Sequence, residues 1–365
     1  MGGRLQHEIS ELNPGYGAWV MATGIVSTGL HIFDHRALSE ILLIVACVAF
    51  VLLIVAYTWR FVRYRPQALA DARNPSRAFG YFSLVAALNV LAVRFTLDHH
   101  IVTTVVLGAV SVPLWSVLTC AVLGTMFMGR RDGPIVPRVN GSWFLLVVAT
   151  QSLALTAATV AAVISGVAVV LGPLAVALWG ISVVLYLMLI GLVTLKLLDL
   201  NTAPHALSPT YWIYMGATAI TVLAAARILQ LPDVVPALAA TRQVVSGLAF
   251  LLWAFGTWWI PLLLVFAFWR HAFLREELRY DAAWWSMVFP LGMYAAASAS
   301  YGQANGVAFM VDIARGEVWV GFAAWLVVLA AMIGSFVPTR QGSPDEQGIT
   351  SHQDSMESKP PGGAR

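Results

Sequence analysis

The chain has 365 residues, of which 59% are hydrophobic and only 11% are charged, and its formal net charge is +3. A soluble domain is about 25% charged, so a mean hydropathy of +0.78 indicates too little polar surface for a water-soluble globule of this size. Composition therefore excludes an ordinary cytosolic enzyme, a disordered protein and a nucleic-acid binder, and it places the chain in a lipid bilayer.

Ten apolar stretches follow one another along the chain. Each approaches the length of about 20 residues that a membrane-crossing helix needs, although the first is short. We predict an N-terminal segment at 1–14, a transmembrane domain at 15–336 and a polar, disordered tail at 337–365. The ten predicted spans lie near Gly15–Leu30, Leu38–Trp59, Ala78–Leu97, Ile101–Phe127, Gly141–Ile164, Ala168–Leu195, Pro209–Leu229, Val244–Trp269, Ala282–Ser300 and Val318–Phe336.

The basic residues predict the orientation of these spans. With a cytoplasmic N-terminus, sixteen of the 21 Lys and Arg fall on the cytoplasmic side, and only Arg36, Arg242 and Arg315 fall on the other. Cytoplasmic loops of membrane proteins carry an excess of Lys and Arg, and dropping one helix would scatter the basic loops onto both sides. We therefore predict a multi-pass protein of the cell membrane with both termini in the cytoplasm.

The odd-numbered spans resemble one another. Span one reads W-V-M-A-T-G-I-V-S from Trp19, span five W-F-L-L-V-V-A-T-Q-S from Trp143, and span seven W-I-Y-M-G-A-T-A-I-T from Trp212. Odd spans are rich in Gly, Ala, Ser and Thr, whereas even spans are richer in Leu, Val and Ile. The pattern predicts an all-α integral membrane protein of five repeated helical hairpins, with odd helices inside and even helices facing lipid. The alternative is that the small residues reflect close helix packing alone.

Signatures of catalysis and of metal binding are missing from the sequence. It contains no H-E-x-x-H, no G-x-S-x-G and no Walker loop, and its histidines lie at span ends or in loops. Cys47 and Cys120 lie in apolar runs and are expected to be buried core residues. We predict no enzyme activity, no metal and no cofactor. No Asp or Glu lies deep in a span, which argues against coupling through an intramembrane acid.

The polar and charged residues inside the spans are the candidate functional groups. Arg94 and Arg227 lie late in spans three and seven, where they either snorkel to the rim or form a positive outer vestibule that gathers anions. Small and polar residues on the odd helices are candidates to line a pathway for a small anion: Thr23, Gly24, Asn89, Thr150, Gln151 and Thr218.

Span nine reads W-W-S-M-V-F-P-L-G-M-Y from Trp284. Pro290 removes a backbone hydrogen bond and is expected to kink the helix, and Gly292 loosens the same turn. Beside the kink, Phe289 could project into a narrow channel and close it. Periodicity alone favours the other interpretation, in which Phe289 packs in the core of the bundle.

Span nine and the segment N-P-G-Y-G-A-W-V-M-A-T-G-I-V-S from Asn13 resemble the tellurite-resistance/dicarboxylate transporter family. That family includes tellurite-resistance proteins, fungal malate and sulfite transporters and plant slow anion channels. The resemblance covers roughly Asn13–Phe336. It implies five hairpins around a quasi-fivefold pore lined by the odd helices, commonly a homotrimer with one pore per subunit. It also implies a pore-blocking phenylalanine at the position of Phe289.

On this basis we expect transport of small anions through a phenylalanine-gated pore, with a C4-dicarboxylate such as malate as the nominal substrate. The motifs leave other anions open, so the alternatives are a sulfite or tellurite efflux protein and a chloride or nitrate channel. Beyond transport, the alternatives are an intramembrane enzyme and a non-transporting scaffold. The bilayer is the expected surrounding of the protein.

Overall fold

The computed structural model describes residues 2–128, 133–198, 208–232, 236–272 and 280–336. Within these ranges the chain is all helical and has no strand. Eight helices are long and apolar enough to cross a membrane, in agreement with the predicted all-α membrane protein. The predicted tail at 337–365 lies outside the described residues.

Five helices, called the inner helices here, are almost completely buried. Among those long and apolar enough to span, 83% of the most apolar stretch of α5, 94% of that of α7 and 89% of that of α9 are buried. Each inner helix packs against two others, so that the contacts α2–α5–α7–α9–α11–α2 form a closed cycle. Their bounds are α2 (Gly17–Ile32), α5 (Phe82–Leu97), α7 (Phe144–Val163), α9 (Ile213–Leu229) and α11 (Trp285–Asn305).

Five further helices, called the outer helices here, surround the inner ones, and each packs against the inner helix that precedes it in the chain. Only 11% to 33% of their most apolar stretches is buried, and Val, Leu and Ile side chains dominate the exposed remainder. The outer helices are α3 (Arg36–Arg63), α6 (Ile101–Met128), α8 (Ser165–Leu198), α10 (Pro236–Ala272) and α12 (Ala308–Phe336). The short helices α1 (Gly2–Ser10) and α4 (Arg65–Arg73) complete the described α-helices.

The structure differs from the sequence prediction at three points. The eight helices that qualify as spans do not include α2 and α11, because both carry small and polar residues that lower their hydropathy. Helix α12 begins ten residues before the predicted Val318, because its first turns contain charged residues that lower hydropathy without breaking a helix. The expectation of buried cysteines was wrong: Cys120 is exposed and Cys47 half-buried, since both lie on outer helices.

Three inner helices turn into their outer partners in the same way. The backbone N–H of His35, His100 and Val307 each donates to a carbonyl five residues earlier, at 2.9, 3.0 and 2.8 Å. The residue before each donor is left-handed, with φ of 61° at Asp34 and His99 and 69° at Gly306. This closure satisfies carbonyls that a helix end would otherwise leave unpaired.

Tryptophan indoles tie the outer layer to the inner one. In four places an Nε1–H of an outer helix donates to an oxygen of the inner helix of the next pair, and the last of these joins α12 back to α2. Such bonds satisfy polar groups that lipid cannot. The bonds run from Trp115 to Thr150 Oγ1 at 3.0 Å, from Trp179 to the Thr221 carbonyl at 3.0 Å, from Trp253 to Ser298 Oγ at 2.8 Å and from Trp325 to Thr23 Oγ1 at 2.9 Å.

Candidate functional site

All five inner helices begin at one end of the molecule. A short 3₁₀ turn precedes each of them, and neighbouring turns touch, so the five turns also form a closed cycle. A helix N-terminus presents unpaired N–H groups and a partial positive charge. The cycle therefore gathers five such ends around one opening, called the N-terminal mouth here. The turns are Pro14–Tyr16, Ala78–Tyr81, Gly141–Trp143, Pro209–Trp212 and Ala282–Trp284.

Four of these turns share one capping arrangement. The residue before the turn accepts, through its side-chain oxygen, a hydrogen bond from the N–H two residues on, at 2.7 to 3.3 Å. The fifth turn, which leads into α5, is preceded by Arg77, whose side chain makes no such cap. The repeat is thus broken at one position by a cation. The four caps are Asn13, Asn140, Ser208 and Asp281.

A cavity of about 380 Å³ lies at the N-terminal mouth and is lined by residues of all five turns or their caps. Among the residues that the structure describes, the charged side chains of its wall are Arg77, Lys196 and Asp281. Lys196 is 7% exposed and donates to the carbonyl oxygen of Val139. Two cations, one carboxylate and five helix N-termini make this cavity suited to an anion.

Arg77 is held at the cavity wall by a buried carboxylate. Its Nε lies 3.1 Å from Asp71 Oδ1, while Asp71 Oδ2 lies 2.6 Å from Arg60 Nη2. The two arginines share one acid, so the cluster keeps a net positive charge. Arg60 also donates through Nε to the carbonyl of Ser10, at 3.2 Å, which joins α1, α3 and α4 beside the mouth.

The three residues predicted to form a gate lie in α11 and contact two different helices. Phe289 is only 1% exposed. A Cβ at Gly216 of α9 would lie 3.4 Å from Phe289 Cε1 and 2.8 Å from Pro290 Cγ, so both rings pack against α9. On the other side, a Cβ at Gly292 would lie 3.0 Å from Ile25 Cγ2 of α2. Helix α11 continues through Pro290.

Three of the pore-lining candidates accept a hydrogen bond from a side chain of an outer helix. Thr23 and Thr150 accept the indole bonds described above, from α12 and α6. Asn89 Oδ1 accepts a hydrogen bond from Ser111 Oγ of α6 at 3.2 Å. All three side chains are fully buried, and their polar atoms join the two layers.

The other three candidates lie at contacts between helices. Gln151 Nε2 donates to Thr221 Oγ1 at 3.1 Å and to the Trp179 carbonyl at 3.3 Å. The Thr218 hydroxyl donates to the Met215 carbonyl at 2.7 Å and faces Gly256 of α10, where a Cβ would lie 2.3 Å from it. Gly24 approaches α5, and a Cβ there would lie 2.8 Å from Val90 Cγ1.

The two span arginines have different surroundings. Arg94 is completely buried, and its Nη1 lies 2.6 Å from Asp98 Oδ2. Its Nε donates to Ser27 Oγ at 2.9 Å and its Nη2 to Ser39 Oγ at 2.9 Å. The Arg94 charge is therefore balanced by Asp98, and its side chain joins α2, α3 and α5.

Arg227 has no ion pair in the described part of the chain. Its Nη1 donates to Gln230 Oε1 at 3.1 Å, while its Nε is buried with no hydrogen-bond partner. The sequence contexts of the two arginines, V-L-A-V-R and V-L-A-A-A-R, look alike, but only Arg94 has an aspartate four residues later.

The N-terminal mouth was missed by the sequence analysis, which placed positive potential at the opposite, outer end. The sequence did contain one signal for this mouth. Side chains able to cap a helix occur one or two residues before four of the five odd spans, and such residues mark helix starts. The closing of the five turns on one another depends on tertiary contacts, which the capping signal does not contain.

Known proteins that are similar to this chain include membrane proteins and transporters. The model of the voltage-dependent anion channel family matches residues 11–333. An uncharacterised membrane protein of Mycobacterium tuberculosis is 41% identical over 155 residues, which are 42% of this chain and 78% of that protein. An uncharacterised transporter of Methanocaldococcus jannaschii is 24% identical over 336 residues, covering 88% of this chain and 92% of that protein.

A second uncharacterised transporter of the same archaeon is 23% identical over 339 residues, covering 90% of this chain and 96% of its own. The family match spans both motifs on which the sequence resemblance was based, and it extends through all five inner helices. The chain therefore belongs to the voltage-dependent anion channel family.

Proposed function

We propose that this protein conducts small anions across the membrane along the axis enclosed by the five inner helices. The observation that carries the proposal is the N-terminal mouth, where five helix N-termini and two cations surround one cavity. Half-helix N-termini serve anionic substrates in the same way in other transporters. Membership of an anion-channel family supports this function and supports a role outside catalysis.

In this proposal, ten helices cross the membrane as five repeated hairpins, with both termini in the cytoplasm. The closed cycle of inner helices supports it, because the cycle is complete within one chain. An inner helix shielded by neighbours needs less apolar surface than a lipid-facing one, which explains why α2 and α11 have weaker span signals. The N-terminal mouth is then the cytoplasmic entrance. A homotrimer would contain three independent pathways.

Phe289 is the proposed gate of the pathway. Its ring is buried and packs at Gly216, the position where α9 has no side chain. A bulky apolar ring across a narrow passage excludes hydrated ions by steric block and by dewetting. The shared space between α11 and α9 supports this role. Pro290 and Gly292 set the contacts of α11 on the two sides of the ring.

Selection among anions is proposed to come from the width of the passage and from positive potential. Arg77 and Lys196 would attract anions at the cytoplasmic entrance, and Arg227 would do so at the outer end. Thr23, Gly24, Asn89, Thr150, Gln151 and Thr218 would shape the pathway through the positions of the helices they join. The nominal substrate is a C4-dicarboxylate such as malate.

A flux measurement in liposomes tests this function. The purified full chain is reconstituted, and the uptake of malate, succinate, sulfite, nitrate and chloride is compared with that of protein-free liposomes. We expect flux of at least one of these anions and none of potassium. Absence of flux for every anion, with the protein correctly inserted, would favour a non-transporting scaffold.

The same measurement ranks the alternatives. Preference for malate and succinate supports the nominal substrate, and preference for nitrate and chloride supports an inorganic-anion channel. For sulfite or tellurite efflux, the matching test is a deletion strain challenged with each oxyanion. Sensitivity that only the intact gene reverses would support efflux.

A further inference from the structure

We propose that the corner between α3 and α4 binds the headgroup phosphate of an anionic phospholipid through Arg63 and Arg65. This inference concerns the surface of the protein and does not depend on which anion it transports. The corner lies where α3, an outer helix with an exposed aliphatic face, ends.

The charges of this corner are unbalanced. Arg63 and Arg65 are exposed, and the described part of the chain gives neither of them an acidic partner. The nearest acid along the chain, Asp71, is buried between Arg60 and Arg77. Two exposed guanidinium groups therefore remain for an external anion, and guanidinium groups bind phosphate oxygens with two parallel hydrogen bonds.

Exposed arginines at the other end of the molecule provide a comparison. Arg36 lies 3.8 Å from Asp34, and Arg315 lies 3.3 Å from Asp312. Each has a carboxylate within three residues of the chain, so its charge is balanced locally. The unbalanced charge at Arg63 and Arg65 is thus a property of this corner and not of every exposed arginine in the protein.

Aromatic and aliphatic side chains surround the two arginines. Trp59 is 43% exposed, Phe61 is 55% exposed and Val62 is 79% exposed. The guanidinium carbon of Arg63 lies 5.8 Å from the centre of the Tyr64 ring, and that of Arg65 lies 5.9 Å from the centre of the Phe61 ring. Aromatic rings are typical of the boundary between acyl chains and headgroups. Apolar surface for the chains and positive charge for the phosphate therefore occur together.

Lipid binding to the delipidated full chain in a neutral detergent tests the proposal. Native mass spectrometry gives the apparent affinity for phosphatidylglycerol and for phosphatidylcholine. Each arginine near an anionic membrane surface strengthens binding by about fivefold (about 1 kcal/mol), so we expect the double variant R63Q/R65Q to bind phosphatidylglycerol about 30-fold more weakly. The double variant R36Q/R315Q removes two paired arginines and should bind it like the wild type. Equal weakening in both variants, or none in R63Q/R65Q, would overturn the proposal.

A second measurement uses the wild-type protein alone, so it does not depend on the folding of a variant. The full chain is reconstituted in vesicles that contain phosphatidylglycerol with a photoactivatable group near the headgroup, and the labelled peptides are mapped. We expect labelling concentrated within residues 59–65 and reduced several-fold when the probe is phosphatidylcholine. Labelling that avoids this segment, or that is equal for both lipids, would contradict the assignment.

Discussion

The inner and outer helices of this protein have opposite relations to their surroundings. The inner helices bury most of their residues, polar ones included, whereas the outer helices expose most of theirs and are aliphatic. Two inner helices, α2 and α11, do not even qualify as membrane spans by length and composition. Hydropathy therefore identifies best the helices that face lipid, and it identifies least well the helices that would form a pathway. Polarity inside a span therefore marks a helix that lies inside the bundle.

The largest difference in stability between the inner and outer parts of the protein is expected when a glycine is replaced by alanine. A Cβ at Gly141, in the turn before α7, would lie 2.1 Å from the Thr210 carbonyl oxygen, and backbone on both sides cannot move aside. We expect Gly141→Ala to destabilise the protein by about 3 kcal/mol or more. At Gly180, on the outer helix α8, nothing lies within 4 Å of an added Cβ, so Gly180→Ala should change stability by at most about 1 kcal/mol.

Thermal unfolding of both variants in detergent checks this prediction. A melting temperature of Gly141→Ala at or above that of Gly180→Ala would contradict the close approach of the two inner turns.

The next difference is expected between the two span arginines. Replacing Arg94 by Leu leaves Asp98 without its arginine partner and removes the bonds to Ser27 and Ser39, so we expect a loss of about 3 kcal/mol. Replacing Arg227 by Leu removes a group whose Nε has no partner, and the loss should stay under about 1 kcal/mol. Chemical or thermal denaturation compares the two. The opposite order would show that the Arg94–Asp98 pair does not hold the inner layer together.

Arg227 should instead affect flux. If it concentrates anions at the outer end, Arg227→Gln lowers anion flux at low ionic strength, and the effect shrinks above about 0.1 M salt, where charges are screened beyond about 10 Å. Liposome flux at two salt concentrations measures it. Equal reduction at both concentrations would point away from electrostatic attraction.

Two phenylalanines test the gate. Phe289 is buried on the inner helix α11, whereas Phe309 on the outer helix α12 is 50% exposed. We expect Phe289→Ala to raise anion flux several-fold, because removing the ring widens the passage, and Phe309→Ala to leave flux unchanged. Reconstituted liposomes with matched protein content provide the measurement. Lower stability of Phe289→Ala without any gain in flux would assign the ring to packing alone.

The smallest loss of stability is expected when the hydrogen bond between Trp325 of the outer helix α12 and Thr23 of the inner helix α2 is removed. Thr23→Val removes the acceptor of the Trp325 indole and leaves a buried donor unpaired, so we expect a loss of about 1 kcal/mol. Thr28 has the same side chain on the same helix, but its hydroxyl donates only to the carbonyl of Gly24, and Thr28→Val should cost less. Unfolding curves of Thr23→Val and Thr28→Val, measured in parallel, compare the two losses of stability. Identical losses would mean that the indole bond adds nothing.

Individual features of the candidate site could be predicted from the sequence, but their arrangement could not. A residue able to cap a helix precedes four of the odd spans, at Asn13, Asn140, Ser208 and Asp281. The spacing of Arg94 and Asp98 is that of a helical ion pair. Neither feature shows by itself that the four caps meet in one cavity or that Ser27 and Ser39 complete the pair. The partners lie 55 and 67 residues from Arg94, and sequence periodicity carries no information on contacts at such distances.

The sequence by itself determined that the chain is a helical membrane protein, where its ten apolar stretches lie and which of them are rich in small residues. These properties are local, because transfer from water to lipid depends on composition within about 20 residues. Only the tertiary structure decided that the five small-residue helices close on one another and that their N-termini converge on one cavity. It also decided that Thr23 and Thr150 bond to outer tryptophans. Those outcomes depend on which distant segments pack together, since a buried hydroxyl or charge is satisfied by whatever neighbour the fold brings to it.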